Sequence, residues 1–303
     1  MRMKTKITFL LLIATALTGC RYSFDIEDSG LEPRICVKSY ICTDSTTVIE
    51  IHRTIPIDEI SSTASAAISP SFSLLCNGEE VETASTVMAN GGMRIEAGTF
   101  CEGDRLSLTA GADGLETVKA ETSIPDGFPE YSFKDYTDTD GNKCVLLKYK
   151  DNPQSRDYYG AAVEVRHTWQ YPQDGIPRTT SSFVYVNGSD ISLDRYAYAP
   201  VTAWFEEHYT FIWADQEEED DSYEMRTDIG ISPADDRKLE IRLHLYKLSE
   251  EMYRTLYAYY DANSNPFAYI GLSSPSFTYS NVSRGVGYFC GYSKTVSEWM
   301  EIK

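Results

Sequence analysis

The chain has 303 residues and a formal net charge of −19 at neutral pH, because 46 acidic side chains outnumber 27 basic ones. Proteins that bind nucleic acid neutralise phosphate groups with Lys and Arg, so this balance argues against DNA or RNA as a partner. The excess of carboxylates keeps the protein soluble and would favour cationic ligands or metal ions.

The N-terminus has the order of a bacterial lipoprotein signal. Three cations among the first six residues precede the apolar run Ile7–Ala16, and the sequence Leu-Thr-Gly-Cys, which ends at Cys20, follows at once. The run is too short to span a bilayer, which needs roughly 20 apolar residues. We therefore expect residues 1–19 to be a signal peptide and Cys20 to carry the lipid. Loss of three cations and no acid from −19 leaves −22 on the mature chain.

Residues 20–33 are polar and are predicted to tether the lipid to the first strand. Asp25, Glu27 and Asp28 in this tether are reminiscent of the acidic export signal on surface lipoproteins of Bacteroidetes. No later run of about 18 apolar residues occurs, so no other segment is expected to enter the membrane. We expect a protein anchored to the outer membrane by lipid and exposed at the cell surface, with the periplasmic face as the alternative.

Residues 34–126 are predicted to form an immunoglobulin-like β-sandwich. The segments Arg34–Cys42 and Thr46–Arg53 alternate apolar and polar residues on either side of a Thr-Asp-Ser turn. About seven short strands separated by Asn-Gly and Gly-Gly turns are typical of such a sandwich. The further strands are predicted at Ser71–Cys76, Gly78–Thr83, Met93–Ile95, Arg105–Ala110 and Glu116–Ser123.

Residues 127–303 are predicted to form a second β-rich domain with one prominent helix, so the fold class is mainly β. Ser249 suits the N-cap position and Glu250 and Glu251 the first turn, where the helix dipole favours anions. The helix is therefore expected at about residues 249–263. The strands are predicted at Tyr131–Tyr136, Lys143–Tyr149, Tyr158–Trp169, Thr180–Val186, Glu207–Ala214, Ser222–Ile231 and Lys238–Lys247.

Six cysteines follow Cys20 and allow 15 disulfide pairings, among which the sequence does not choose. An exported protein permits disulfides. None of the six forms a C-x-x-C pair, so the pattern does not support a zinc or thioredoxin-type site. Buried free thiols are the default expectation for most of them.

The C-terminal segment Tyr279–Ser293 reads YSNVSRGVGYFCGYS, with an Asn, a Gly-x-Gly-Tyr-Phe sequence and a small-aromatic-Ser ending. It resembles the ending of a large lipoprotein family of Bacteroidetes, known only as domain of unknown function 4249. Two other segments are similar to the family pattern: Arg34–Pro56 to its opening pair of strands, and Leu248–Tyr257 to its late Ser-x-x-x-Tyr-x-x-Leu helix. The resemblance covers the whole mature chain.

The resemblance implies no established activity. Members of the family are often encoded beside TonB-dependent outer-membrane transporters, which implies an accessory role in uptake. Such an association does not by itself supply a mechanism, which has to come from the residues of a site.

Aromatic residues crowd the second predicted domain and give the clearest candidate binding residues. Exposed aromatic side chains with polar neighbours are typical of binding surfaces. We expect Trp204, Phe205, Tyr196 and Tyr198 to contact a small molecule, a peptide, a glycan or a protein partner. The alternative is that these rings form the core of a tyrosine-rich sheet.

No sequence pattern supports catalysis, a cofactor or a bound metal. The four histidines stand singly without an H-E-x-x-H spacing, and neither a G-x-S-x-G elbow nor a phosphate-binding glycine loop occurs. The acidic stretch 215–221 and the Asp-Thr-Asp-Gly-Asn sequence at 138–142 lack the full EF-hand spacing and are interpreted as hairpin tips. We therefore predict that the protein is not an enzyme.

The sequence as a whole predicts a non-enzymatic outer-membrane lipoprotein. It would bind a ligand or act as the accessory partner of a TonB-dependent transporter in nutrient uptake. A surface adhesive or structural lipoprotein is the alternative, and a carbohydrate-active enzyme is less favoured.

Overall fold

Strands dominate the architecture. The computed structural model describes residues 32–55, 67–137, 139–141, 143–150, 152, 154–170, 175–185, 201–215, 222–228 (backbone only), 238–264 and 279–302. Helix α1 spans Glu250–Ser264. The strands are β1 Ile35–Cys42, β2 Thr47–Arg53, β3 Ser71–Cys76, β4 Glu79–Glu80, β5 Thr83–Val87, β6 Met93–Ala97, β7 Arg105–Gly111, β8 Val118–Ser123, β9 Tyr131–Thr137, β10 Lys143–Lys150, β11 Tyr158–Gln170, β12 Pro177–Val184, β13 Val201–Phe205, β14 His208–Ala214, β15 Ser222–Asp228, β16 Lys238–Leu248, β17 Val286–Val296 and β18 Met300–Glu301.

These elements confirm the predicted fold class: the chain is mainly β, with a helix near its C-terminal end. All of them belong to one compact unit, formed by residues 33–54 and 65–303. Within the described residues, no helix is long and apolar enough to cross a membrane.

One large sheet has the strand order β13-β14-β11-β16-β17-β1-β2-β6-β5, with β12 beside β11 and β18 beside β16. Strand β17 connects the group β13-β14-β11-β16 to the group β1-β2-β6-β5, because it pairs in parallel with β1 and antiparallel with β16. Strands from the first and last parts of the chain therefore share a sheet. The domain boundary predicted at residues 126 and 127 falls between β8 and β9, and the division into two domains stays a prediction.

A β-sandwich forms where the sheet β4-β3-β7-β8 packs against β1, β2 and β6. In β1, Ile35, Val37 and Ile41 are at most 1% exposed and lie in this sandwich core. They are separated by two and four residues, and these even separations place them on one face of the strand. Burial of each such side chain stabilises the fold by about 1.5–3 kcal/mol.

Asn281 in the C-terminal motif links β8 to β17. Its Nδ2 donates to the carbonyl oxygen of Phe289 at 2.7 Å and to that of Glu121 at 3.1 Å, while the Phe289 amide donates to Asn281 Oδ1 at 2.9 Å. One amide side chain therefore satisfies backbone groups of two strands. The Asn of the family motif thus has a structural role.

Two glycines of the same motif permit a close approach of backbones. Gly287 has a φ of +110°, and a Cβ at this position would collide with the carbonyl oxygen of Val37. A Cβ at Gly291 would collide with the carbonyl oxygen of Ser123. Only glycine lacks the Cβ, so the spacing of these glycines follows from the packing of β17 between β1 and β8.

Helix α1 packs on one face of the strands β13, β14, β11, β16 and β17. The Met252 amide donates to Ser249 Oγ at 3.2 Å, so Ser249 is the N-cap, as predicted. Met252, Tyr253 and Leu256 are at most 2% exposed and face this core. Their spacing along the helix gives the apolar stripe of an amphipathic helix.

The opposite face of β11, β14 and β16 packs against the small sheet β15-β10-β9. Tyr149, Tyr159 and Trp213 are at most 1% exposed in this second core. Trp213 Nε1 donates to the Tyr149 hydroxyl at 2.8 Å, which satisfies the buried indole.

Two buried cysteines behave as small hydrophobic side chains. Cys42 and Cys290 lie in the core beneath α1. Burial raises the pKa of both thiols, that of Cys290 to about 12. Neither thiol is poised to react as a thiolate at neutral pH.

The structure adds three strands that the sequence patterns did not predict: β13, β17 and β18. Strand β17 lacks apolar-polar alternation because it is buried on both faces, with Phe289 in the sandwich core and Cys290 and Tyr292 beneath α1. The predicted strand Gly78–Thr83 is instead divided between β4 and the start of β5.

Candidate binding surface on the hairpin 201–214

Strands β13 and β14 form a hairpin whose two-residue turn is Glu206-Glu207. Both residues have positive φ, 49° and 63°. Turns of this kind normally contain Asn-Gly or Asp-Gly, since other residues pay a steric cost of roughly 1–2 kcal/mol in the left-handed region. Interactions elsewhere must hold this acidic turn in place.

The side chain of Glu206 supplies these interactions. Its Oε2 accepts from Lys294 Nζ at 2.7 Å and from the Tyr246 hydroxyl at 3.0 Å, and its Oε1 accepts from the Tyr292 hydroxyl at 2.6 Å. Burial alone would raise the pKa of Glu206, but the hydrogen bonds from Lys294 and Tyr292 outweigh it and lower the pKa. The hairpin tip is therefore fixed to β16 and β17 by an ionised carboxylate.

His208 lies next to this carboxylate and is only 4% exposed. Burial lowers its pKa to about 4, against the opposing attraction of Glu206. The Thr210 hydroxyl lies 3.1 Å from Nδ1, and the Tyr246 hydroxyl lies 3.2 Å from Nε2. A neutral imidazole with its proton on Nε2 satisfies both contacts, because Tyr246 then accepts from His208 while it donates to Glu206.

A second histidine, His244 on β16, belongs to a separate hydrogen-bonded group. His244 Nε2 lies 2.9 Å from Glu164 Oε2, which also accepts from Arg242 Nε at 2.6 Å. Burial alone would raise the pKa of Glu164, but the bonds from Arg242 and His244 lower it. The ring of Phe183 stacks on His208 at 3.8 Å and meets His244 edge to face at 4.9 Å.

Two hydrogen-bonded groups, which we together call the buried polar network, lie here: Glu206, His208, Tyr246, Tyr292 and Lys294 form one, and Glu164, Arg242 and His244 form the other. Each of its two carboxylates accepts hydrogen bonds from at least two side chains. Both carboxylates are satisfied, whereas the buried Nδ1 of His244 has no hydrogen-bond partner among the described residues. Buried hydrogen bonds of this kind fix the strands that contribute to them. The network therefore holds β14 and its turn in a rigid position.

Exposed aromatic rings lie on the outer side of the hairpin and directly after the neighbouring strand β12. Trp204, Tyr209 and Tyr185 are 52%, 46% and 53% exposed. Trp204 and Tyr209 are cross-strand partners with ring centroids 5.0 Å apart, and Tyr185 lies 5.3 Å from Tyr209, both pairs edge to face. We call these three residues the exposed aromatic surface. Grouped rings of this kind are the usual anchors of binding sites.

The residues predicted from the sequence fall in different places. Trp204 belongs to the exposed aromatic surface, whereas Phe205 is 3% exposed and packs against Tyr246 and Tyr292. Successive residues of a strand point to opposite faces, so the two neighbours do not share a surface. The predicted Tyr196, Tyr198 and lipidated Cys20 lie outside the described residues.

Sequence reasoning missed Tyr209 and Tyr185. A signal for Tyr209 was present, since a two-residue turn at 206 and 207 places Trp204 opposite Tyr209. The sequence gives no comparable signal for Tyr185, whose approach to Tyr209 depends on how β12 and β14 diverge from β11.

The acidic segments show no metal site among the described residues. No group of three His, Cys, Asp or Glu side chains there could hold a metal ion. Asp215 is buried, and its Oδ1 accepts from the Asp157 amide. Residues 216–221, 138 and 142 of the two acidic sequences lie outside the described residues.

Comparison with solved structures gives distant similarities. The adhesin InvE of Yersinia pseudotuberculosis is similar over 71% of this chain and 55% of its own, with 10% identity and a TM-score of 0.22. Bovine butyrophilin is similar over 70% of this chain and 92% of its own, with 8% identity and a TM-score of 0.21. The chain thus spans about half the length of the adhesin. Similarity at this level carries no argument about function.

Comparison with curated protein sequences gave no significant match. In contrast, the model of a family described as "Domain of unknown function (DUF4249)" matches residues 21–298. The match contains both the C-terminal motif and the hairpin with its exposed aromatic surface. Since it covers nearly the whole chain, the protein belongs to the DUF4249 family.

Proposed function

We propose that this protein is a non-enzymatic lipoprotein, anchored to the outer membrane through Cys20 and facing the cell surface. In this proposal it acts as an accessory partner of a TonB-dependent transporter in nutrient uptake. The exposed aromatic surface contacts the transporter. The observation that carries the proposal is this group of rings on a hairpin that the buried polar network holds rigid.

Rigidity matters because binding is weakened by the entropy lost when a surface becomes ordered. Trp204 and Tyr209 lie on paired strands, and the turn between them is fixed by Glu206. Tyr and Trp present large contact areas with few rotatable bonds, and such residues dominate the binding energy of interfaces. A pre-formed aromatic surface of this kind supports the binding of a partner without a large ordering cost.

The anchor is tested separately from the partner. Radiolabelled palmitate should be incorporated into the wild-type protein, which should fractionate with membranes, since several acyl chains make anchoring stable. The variant Cys20→Ala should take up no label and should appear in the soluble fraction. Label in this variant, or its full retention in membranes, would contradict lipid attachment at Cys20.

The partner is tested by purification of the tagged protein from its native outer membrane in mild detergent. We expect stoichiometric recovery of a TonB-dependent transporter with the wild-type chain. Trp204→Ala should reduce that recovery by about tenfold or more, as for an aromatic anchor at an interface centre.

Tyr259→Ala is the matched control, because Tyr259 is 55% exposed but lies on α1, which packs on the face of the hairpin opposite to Trp204. Its recovery of the transporter should equal that of the wild type. Recovery of the protein alone at several detergent strengths would contradict the transporter partnership. Equal losses in Trp204→Ala and Tyr259→Ala would contradict the assigned surface, and self-association would favour the adhesive alternative.

A further inference from the structure

A second candidate binding site lies between α1 and the start of β11, separate from the exposed aromatic surface. It is a pocket of about 230 Å³. Its lining is dominated by four tyrosines and two arginines: Tyr158, Tyr253, Tyr257, Tyr279, Arg156 and Arg254.

The tyrosines form a pre-built aromatic wall. The rings of Tyr158 and Tyr253 have centroids 5.0 Å apart and an interplanar angle of 30°, and Tyr257 follows 5.9 Å from Tyr253. Tyr158 and Tyr253 are 9% and 2% exposed because they also pack in the core beneath α1. These two rings therefore hold the wall rigid but have little accessible surface, so a ring that entered the pocket would contact the partly exposed Tyr257 and Tyr279.

Both guanidinium groups are placed beside aromatic rings. Arg156 Cζ lies 5.7 Å from the Tyr158 centroid, and Arg254 Cζ lies 5.8 Å from the Tyr279 centroid. The planar fork of a guanidinium matches a carboxylate with two parallel hydrogen bonds. Two such groups at one pocket favour an anionic ligand, even on a chain with a net charge of −19.

The ion pair of Arg254 with Glu250 does not prevent this role. Both side chains are about half exposed, at 54% and 47%, and exposed pairs of this kind contribute little to stability. A guanidinium has five N–H donors, so a bound carboxylate can share Arg254 with Glu250.

The size of the pocket limits the ligand. Sites for drug-sized molecules measure about 300–1,000 Å³, so 230 Å³ suits a single ring with its substituents. We propose that this pocket binds a small ring-bearing carboxylate, with its ring against Tyr257 and Tyr279 and its carboxylate on Arg156 and Arg254. A sugar acid and an aromatic acid share this chemistry. The inference does not rest on the transporter partnership.

Calorimetric titration of the full-length protein tests the site with four probes: glucuronate, 4-hydroxybenzoate, and their uncharged counterparts glucose and phenol. We expect saturable one-to-one binding of at least one acid and at least about tenfold weaker binding of its neutral counterpart, because charge-assisted hydrogen bonds are lost. Binding of glucuronate alone identifies a sugar acid, and binding of 4-hydroxybenzoate alone identifies an aromatic acid.

Two variants and one control complete the experiment. Arg254→Gln should weaken binding of the acid at least about tenfold, and Arg254→Lys should weaken it less because the charge remains. Arg105→Gln removes an exposed arginine on β7 and should leave binding unchanged. The proposal is overturned by a lack of saturable binding of both acids, by equal binding of acid and neutral counterpart, or by equal affinities of Arg254→Gln and the wild type.

Discussion

The two sides of strand β17 contact different kinds of residues, an apolar core on one side and the buried polar network on the other. On one side, Phe289 joins an aliphatic sandwich core in which glycines bring backbones into close approach. On the other side, Tyr292 and Lys294 reach into the buried polar network and hold Glu206. One face of the strand therefore packs in the sandwich core, and the other supports the candidate binding surface.

The difference also explains where local sequence rules are broken. In the sandwich, Gly287 occupies the positive-φ position, as those rules require. At the hairpin tip, two glutamates occupy positive-φ positions that normally select Asn or Gly. Departures from local preference that are compensated by distant contacts are typical of functional sites. The compensation at the hairpin supports the proposal that the hairpin is functional, although Arg284 in the C-terminal motif also has a positive φ, of 61°.

The largest effect is expected for Gly287→Ala. A Cβ here would collide with the Val37 carbonyl oxygen at a φ of +110°, so β17 cannot keep its pairing with β1. We expect a loss of about 4 kcal/mol or more in the free energy of unfolding, measured by urea denaturation, or no folded protein at all.

Gly98→Ala is the control for this substitution. Gly98 has open space around its Cβ position and no positive φ, so the stability should change by no more than about 0.5 kcal/mol. Similar losses in both variants would contradict the role assigned to the close approach of β17 and β1.

The next prediction compares the losses of stability that follow substitution of two neighbours, Phe205 and Trp204. Phe205→Ala empties a site in the core beneath α1 and should cost about 3–5 kcal/mol of unfolding free energy. Trp204→Ala removes a ring that is 52% exposed and should cost less than about 1 kcal/mol. Equal losses in urea denaturation would show that the two residues do not face opposite sides of the hairpin.

The smallest effect concerns pH. The pKa of His208 is lowered by burial to about 4, whereas an exposed histidine titrates near pH 6.5. Between these values the unfolded chain binds the proton more readily, so stability present above pH 6.5 is lost as the pH falls towards 4. The pKa of His244 is lowered in the same direction. We therefore expect the urea midpoint to fall across this window.

His208→Gln should make this decline shallower without removing it, because His244 still contributes. Below pH 4.5 the lowered pKa values of Glu206 and Glu164 add a further loss, since protonation removes their ion pairs. An identical slope in wild type and His208→Gln between pH 6.5 and pH 4 would contradict a neutral, buried His208.

Much of the fold follows from local patterns. Period-two alternation located β1, β2 and β3 within one residue at each end, and Ser249 with its following glutamates located α1. These signals are local because each depends only on the two faces of one strand or on the first turn of one helix. The family resemblance also followed from the C-terminal motif and is confirmed by the family match.

The candidate site could be predicted only in part. Trp204 and Phe205 were both predicted to be binding residues, and their binding role stays a prediction. Nothing local separates the exposed Trp204 from the buried Phe205 without the position of the Glu206-Glu207 turn. The buried polar network joins residues from β11, β14, β16 and β17, so its partners are distant in sequence. Such pairings depend on strand order, which single-strand patterns do not contain.

The most direct test of the account compares amide hydrogen exchange in two states: the lipoprotein held in its native membrane and the same protein purified in detergent. The proposed partnership predicts added protection in the membrane state along Val201–Ala214 and at Tyr185, with little change in β3, β7 and β8. Added protection confined to the sandwich strands, or equal exchange along Val201–Ala214 in both states, would contradict the assignment of function to the hairpin.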